Sequence, residues 1–233
     1  MKISLAIPTF NRFELTIKSF EKVIDDDRIS EILISDDAST DGSYESLKRY
    51  FARNEKVWVR RANINKGMAF NKYICVEESS EEWVCLFDSD NVIDKDYIDA
   101  FFENVQKPRT DTIYQPIAAL PNFVFTNAPN NIVSRETLHQ FKGYRNFMPL
   151  MNNCNYIVNR EFYLLAFEHN PEIKGVDTAW HFYNHLLMGG RMEIVKGMSY
   201  QHLVHGGSEF LKHVHENMAA SAKLERKIFD LCL

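Results

Sequence analysis

The chain has 233 residues, enough for one large domain or one domain with a small appendage. Hydrophobic residues make up 45% and charged residues 25%, and 17 Phe, 10 Tyr and 3 Trp supply a core with aromatics left over for a pocket wall. A formal charge of -5 without a basic stripe argues against a nucleic-acid partner, but it leaves room for an anionic ligand where a bound cation dominates the local field.

The first strand candidate is residues 3–7, which leads into Pro8-Thr9-Phe10-Asn11-Arg12. This opening is too short for a signal peptide and breaks at Pro8. Residues 14–24 read as a helix, with Leu15, Ile17, Phe20, Val23 and Ile24 toward one side. A second strand follows at 29–35, a helix at 44–51, a strand at 57–61, a helix at 68–77, a strand at 83–87 and a helix at 95–105. Continuous apolar strands alternating with helices predict an α/β fold, a mostly parallel central sheet with helices on both faces. Ligands then belong at the carboxyl ends of the strands.

The pattern loosens after Pro108. Residues 113–120 and 123–126 read as short strands among long Pro- and Asn-rich loops, with mixed or antiparallel pairing. Helices are expected at 162–169 and 178–188, strands at 192–195 and 199–204, and an amphipathic helix at 217–231. The division expected is a first half at 1–105, a second half of the same domain at 106–216, and a C-terminal helix at 217–233.

The four cysteines, at 75, 85, 154 and 232, form no Cys-x-x-Cys pair, and Cys75 and Cys85 lie in apolar runs as buried thiols. A reducing, cytoplasmic location is the natural expectation. No stretch of 18 apolar residues occurs, so any membrane contact would be peripheral, through Lys223, Arg226 and Lys227 on the polar side of the last helix.

Three strand ends carry polar or acidic clusters: Thr9 to Arg12, Asp36-Asp37 through Ser43, and Asp88-Ser89-Asp90. In this topology they share one sheet edge, and like charges placed side by side are poorly explained by stability. In an extended stretch, positions i and i+2 point the same way. Asp88 and Asp90 therefore form a hard-oxygen site suited to Mg2+ or Mn2+ shared with substrate phosphates. Asp41, Gly42 and Ser43 read as a turn and helix cap, whereas Asp37 is placed to accept a hydrogen bond from a nucleobase or ribose. In Asn63 to Lys72, Gly67 permits close backbone approach, and Lys66 or Lys72 can reach a phosphate.

Taken in order, these segments resemble the inverting GT-A-fold glycosyltransferases of family 2. The resemblance rests on Pro8 to Arg12, Asp37 to Ser43 preceded by Asp36, Asn65 to Gly67, and Asp88-Ser89-Asp90, and it covers about the first 100 residues. It implies a nucleotide-sugar donor, most often a UDP-sugar, and a saccharide or other hydroxyl-bearing acceptor. Pro8, Thr9, Asn11, Arg12, Asp36, Asp37, Lys66, Gly67 and Ser89 would form the donor nucleotide site. Asp88 and Asp90 would hold Mn2+ or Mg2+. The family's general base falls on Asp177, although Val176 stands where the family usually has Glu. A metal- or diphosphate-completing histidine falls on His205, with His202 second. The acceptor side falls on residues 152–160, where Asn159-Arg160 replaces the common Arg-Arg; Asn153 and Lys72 are further candidates.

Asp177, His181 and His185 fall on one helix face at i, i+4, i+8, which makes a transition-metal site conceivable if another element adds ligands; a core or surface role is the plainer reading of the two histidines. Two functional alternatives stand beside transfer. One is another metal-dependent nucleotide-sugar enzyme; the other is a non-catalytic nucleotide-sugar-binding module, which Val176 slightly favours.

Overall fold

The computed structural model describes residues 1–170, 175–204 and 214–232. The first half follows the expected alternation: β1 (Ile3–Thr9), α1 (Phe13–Phe20), β2 (Ile29–Asp36), α2 (Ser43–Tyr50), β3 (Val57–Arg61), α3 (Met68–Glu77), β4 (Trp83–Leu86) and α4 (Lys95–Asn104). The second half holds β5 (Thr112–Leu120), β6 (Phe123–Val124), β7 (Ile132–Val133), a 3-10 turn at Leu138–Phe141, and α5 (Phe147–Met151). After these come β8 (Tyr156–Asn159), α6 (Arg160–Ala166), α7 (Asp177–Leu187), β9 (Arg191–Gln201) and α8 (Val214–Phe229).

The strands described form one sheet in the order β3-β2-β1-β4-β8-β5-β9-β7, with β6 paired to β5. β1, β2, β3 and β4 run parallel, as do β5 and β9. β8 runs antiparallel between β4 and β5, so the sheet is mixed beyond β4.

Period-2 alternation divides the core between the two sheet faces. Leu5, Ile7, Ile32, Ile34 and Cys85 pack on the face covered with Phe20, Leu47, Tyr97 and Phe101 of α1, α2 and α4. Ala6, Leu33, Val84, Leu86 and Val158 pack on the other face with Cys75 and Val76 of α3, Phe182 of α7 and Leu224 of α8. Cys75 and Cys85 are fully buried free thiols, as the apolar runs around them predict.

Three expectations are corrected. Residues 152–160 are not an open acceptor segment, because β8 fills their second half as a central strand with Ile157 and Val158 fully buried. The two strands expected at 192–195 and 199–204 are one strand, β9. Its register against β5 shifts between Pro116 and Ala118, opposite Gly197 at φ 80°, and the chain continues through the bulge rather than breaking. The helix expected at 14–24 stops at Phe20 and gives way to turns.

Candidate active site

The carboxyl ends of β1, β2 and β4 come together through backbone and amide hydrogen bonds. The Asp37 N–H donates to the Thr9 carbonyl at 2.9 Å, and the Phe87 N–H to the Ala6 carbonyl at 2.9 Å. Asn71, on α3 beneath this edge, accepts from the Ser35 hydroxyl at 2.6 Å and donates to the Ser35 carbonyl at 2.8 Å and the Thr9 carbonyl at 3.3 Å. One buried amide thus ties two strand ends together, with its own donors and acceptor satisfied inside the fold.

Asp37 accepts from the backbone N–H of Lys66 at 2.9 Å and of Gly67 at 2.8 Å. Gly67 sits at φ 87°, ψ 164°, a conformation restricted to glycine, and this turns its N–H onto the carboxylate. Burial raises the Asp37 carboxyl above its ordinary value, against the lowering effect of the two amides. Asp37 therefore pins the loop ahead of α3, and only its remaining lone pairs are open to a ligand.

Asp36 is fully buried. Its Oδ1 accepts from the Ser39 N–H at 2.9 Å and lies 3.9 Å from Arg61, while Oδ2 has no hydrogen-bond partner among the described residues. Asn11, at φ 53°, accepts from the Thr40 N–H and donates its own N–H to Ser39, which fastens the β1 and β2 loops to each other. The hydroxyl of Thr9 meets that of Thr16 at 2.8 Å, so Thr9 contributes framework here rather than a pocket wall. Pro8 lies in β1 opposite Ser35.

Arg12 pairs with Asp90 at 2.8 Å. The Asp88 N–H donates to Asn155 Oδ1 at 2.8 Å, so the segment before β8 sets the turn after β4. Ser89 is fully buried, and its hydroxyl has no partner among the described residues. Burial, together with Asp90 and Asp177, raises the Asp88 carboxyl above its ordinary value in spite of Lys72.

The Lys72 ammonium is buried at the centre of the group. It lies 3.0 Å from Asp177 Oδ2, 3.1 Å from the Thr178 hydroxyl and 3.9 Å from Asp88 Oδ1. Burial alone would lower it, but Asp177 and Asp88 outweigh burial and hold it well above its ordinary value. It is therefore a fixed cation between two carboxylates rather than a mobile arm for phosphate. Lys66 is the exposed lysine, its ammonium 5.5 Å from the Phe70 ring centre.

Asp177 is the first residue of α7, where the helix dipole favours a carboxylate. The side chain of Asn152 donates to the Gly175 carbonyl at 2.9 Å and accepts from the Ala179 N–H at 3.3 Å, bracketing that helix start. Among the described residues, Asp177 and Asp88 flank Lys72, and Asp90 pairs with Arg12. Asp88 and Asp90 are a pair of hard oxygen donors, which fits a divalent cation completed by water and phosphate oxygens.

The residues after β9 close the other flank. The Val92 N–H donates to the Gln201 carbonyl at 2.9 Å and the Gln201 N–H to the Val92 carbonyl at 3.0 Å; the Leu203 N–H donates to Asn91 Oδ1 at 3.1 Å. His202, held between these contacts, has Nδ1 2.8 Å from Asn122 Nδ2. Burial lowers its imidazole, and Asp90 acts against that. His205 lies outside the described residues. Asn153 is buried beneath the edge and accepts from the Tyr200 hydroxyl at 2.8 Å.

The transition-metal reading of α7 does not hold. His181 Nε2 donates to the Tyr163 carbonyl at 3.1 Å, and His185 Nε2 to the carbonyls of Asp111 and Arg191 at 3.0 and 3.2 Å. Among the described residues no group of three metal-ligating side chains forms. The structure adds Asn71 and Thr178 to the site, and it gives Asn152 and Asn155, expected on the acceptor side, positioning contacts instead. The sequence signal for these two asparagines is the asparagine-rich run at 152–155, within the segment expected to contact acceptor.

Comparison with known proteins agrees with this geometry. Residues 4–159 match the model of glycosyl transferase family 2. An uncharacterized glycosyltransferase of Mycoplasma genitalium is 32% identical over 119 residues, covering 48% of this chain and 40% of that protein. The abequosyltransferase RfbV of Salmonella typhimurium is 32% identical over 100 residues, covering 41% and 30%. The chain therefore spans well under two thirds of these relatives' lengths. Among solved structures, S. aureus TarS 1-349 superposes with a TM-score of 0.70 at 15% identity, over 99% of this chain and 70% of that one. TarS 1-349 in complex with UDP-GlcNAc gives 0.72 at 16%, over 96% and 66%. The fold is that of these proteins, and with more than half its length matched by the family model the chain belongs to glycosyl transferase family 2.

Proposed function

We propose that this protein transfers a sugar from a nucleotide-diphosphate donor, a UDP-sugar, to an acceptor hydroxyl with inversion at the anomeric carbon. The observation that carries the reading is the buried Lys72 between Asp177 at 3.0 Å and Asp88 at 3.9 Å, with Arg12 on Asp90 at 2.8 Å beside them. Partly buried carboxylates gathered around a buried ammonium at the carboxyl edge of a sheet lower stability, and such an arrangement marks a site rather than a scaffold.

Asp88 and Asp90 would hold Mg2+ or Mn2+. When bound, such an ion supplies Lewis-acid stabilisation of the charge that develops on the departing diphosphate. Asp177 takes the proton from the acceptor hydroxyl. Lys72 fixes Oδ2, and Oδ1 makes no hydrogen bond among the described residues, so one oxygen is oriented and the other is available to the proton. Asp37 shapes the nucleoside end by fixing the Lys66–Gly67 loop. Arg12 orients Asp90. A single base suffices for direct displacement, without a covalent intermediate.

The test is a thermal-shift and turnover screen with UDP-sugars, beginning with UDP-GlcNAc because a related structure holds it. Stabilisation by donor with Mn2+, its loss in EDTA, and release of UDP with a glycosylated acceptor are expected. Release of nucleoside monophosphate, or donor binding indifferent to the chelator, overturns the reading.

A further inference from the structure

An open cleft of about 680 Å3 lies on the flank away from Asp37, between the β5–β6 hairpin and the start of α5. That volume is in the range of small-ligand sites. Two aromatic rings, Phe123 and Tyr144, three amides, Asn122, Asn127 and Asn146, and the guanidinium of Arg145 line it. Sugars bury the C–H faces of their rings on aromatic side chains and exchange hydrogen bonds with amides, so this composition suits a saccharide.

The amides are held in fixed orientations. The Tyr144 hydroxyl donates to Asn127 Oδ1 at 3.2 Å, which leaves the Asn127 NH2 to donate. The Asn146 NH2 donates to the Val124 carbonyl at 3.3 Å, and the Asn122 NH2 to the His202 carbonyl at 3.1 Å, which leaves both amide oxygens to accept. The cleft therefore offers donors and acceptors together, as a polyhydroxyl ligand requires.

Its charge is equally specific. The chain carries 32 Asp plus Glu and a formal charge of -5, yet no acidic side chain lines the cleft. Arg145 is exposed and forms no ion pair among the described residues. An unpaired guanidinium presents a fork matched to carboxylate or phosphate oxygens.

The cleft is also linked through His202 to the turn that carries Asp88 and Asp90. The Phe123 ring lies 5.6 Å from the His202 ring, and Asn122 contacts His202 directly. The neighbours of His202 in the chain, Gln201 and Leu203, are hydrogen-bonded to Val92 and Asn91, the two residues that follow Asp90.

We propose that this cleft is the acceptor subsite and that it takes a saccharide bearing an anionic substituent, a carboxylate or a phosphate, held by Arg145 over the faces of Tyr144 and Phe123. The assignment as acceptor rests on the transferase reading above; the binding chemistry does not.

The test measures binding of methyl glucoside, methyl glucuronide and glucose 6-phosphate by saturation-transfer NMR, to the full chain with UDP and Mn2+ present. Wild type is expected to bind at least one anionic probe about tenfold more tightly than the neutral glucoside, one bidentate charge-assisted contact being of that size. Whichever anionic probe ranks first names the source of the charge. Arg145→Gln, an exposed substitution with no partner to lose, is expected to abolish the preference and leave UDP affinity unchanged. Tyr144→Ala is expected to weaken all three probes together. A preference that survives Arg145→Gln, equal binding of neutral and anionic probes, or no binding of any probe at millimolar concentration overturns the proposal. Anionic-probe binding that depends on Arg145 in a protein that fails to bind UDP upholds the cleft and instead removes the transferase reading.

Discussion

At the residue scale, Lys72 and Asp177 divide the work of the site in a way that mutation can separate. Asp177→Asn keeps the volume and the amide oxygen for Lys72 but cannot take a proton. Turnover is expected to fall by about 10²–10⁴-fold, with UDP affinity unchanged by calorimetry. Full transferase rate in that variant would remove Asp177 as base. Lys72→Met leaves Asp177 and Asp88 facing each other without their shared cation, the lysine side chain being only 5% exposed. Breaking a buried pair from one side costs about 3–5 kcal/mol, so a large drop in the urea midpoint is expected alongside loss of activity, with Lys72→Arg recovering more stability than rate. The sequence places Asp88 and Asp90 in the candidate site because carboxylates directly after a buried strand are conspicuous, and Asp177 through the family resemblance. It leaves the state of Lys72 open, because a lysine on an amphipathic helix reads as solvated until the partner helix, more than 100 residues on, is known to pack there. A separation of 67 residues likewise hides the role of Asn155, whose hydrogen bond to the Asp88 N–H ties the segment before β8 to the turn after β4.

At the element scale, α7 carries both the proposed base and two histidines whose burial is expected to make the fold acid-sensitive. Burial first holds His181 down to about 3, with His185 acting in the same direction, and holds His185 down to about 4 against its two carbonyl contacts. The ordinary value of both is 6.5, so between that pH and about 4 the unfolded chain binds protons that the folded chain does not. Stability from these residues is therefore complete above about pH 6.5 and is lost as pH falls, by about 2 kcal/mol per histidine at pH 5. Thermal melts at pH 7 and 5 check this: His181→Gln is expected to show a smaller drop than wild type. The loop into α7 is constrained as well. Gly175 has φ 73°, and a Cβ there would sit 2.5 Å from the side chain of Asn217 on α8. Gly175→Ala is expected to lower kcat with UDP affinity intact, since the strain lies two residues from Asp177. A variant with unaltered kcat would show that α8 has no hold on the base. The helices and strands before residue 105 are legible because each strand holds a short apolar run set between helical patterns. β8 was not, because four residues directly after an asparagine-rich turn carry too short a period. β9 was misread as two strands, because Lys196-Gly197 breaks the apolar pattern at a bulge that hydrogen bonding to β5 carries through.

At the scale of the whole molecule, the sheet order decides how far the two halves can be separated. Sequence alone suggests a nucleotide-binding half ending near residue 105, because the alternating pattern stops there. In space, β4 is not an edge: β8 pairs along its whole length, Trp83 with Asn159 through Leu86 with Tyr156. A fragment ending at 105 would expose the unpaired backbone of a fully buried strand, which invites intermolecular pairing. It would also lose Asn155, which sets the Asp88 turn, and Asp177, which balances Lys72. Residues 1–105 are therefore expected to aggregate or to melt without a cooperative transition. The full chain is expected to unfold in one step, with far- and near-ultraviolet circular dichroism transitions coincident. If the fragment instead melts cooperatively and binds UDP, the donor half is autonomous, and the carboxylate–lysine cluster that joins the halves serves catalysis without contributing to the fold.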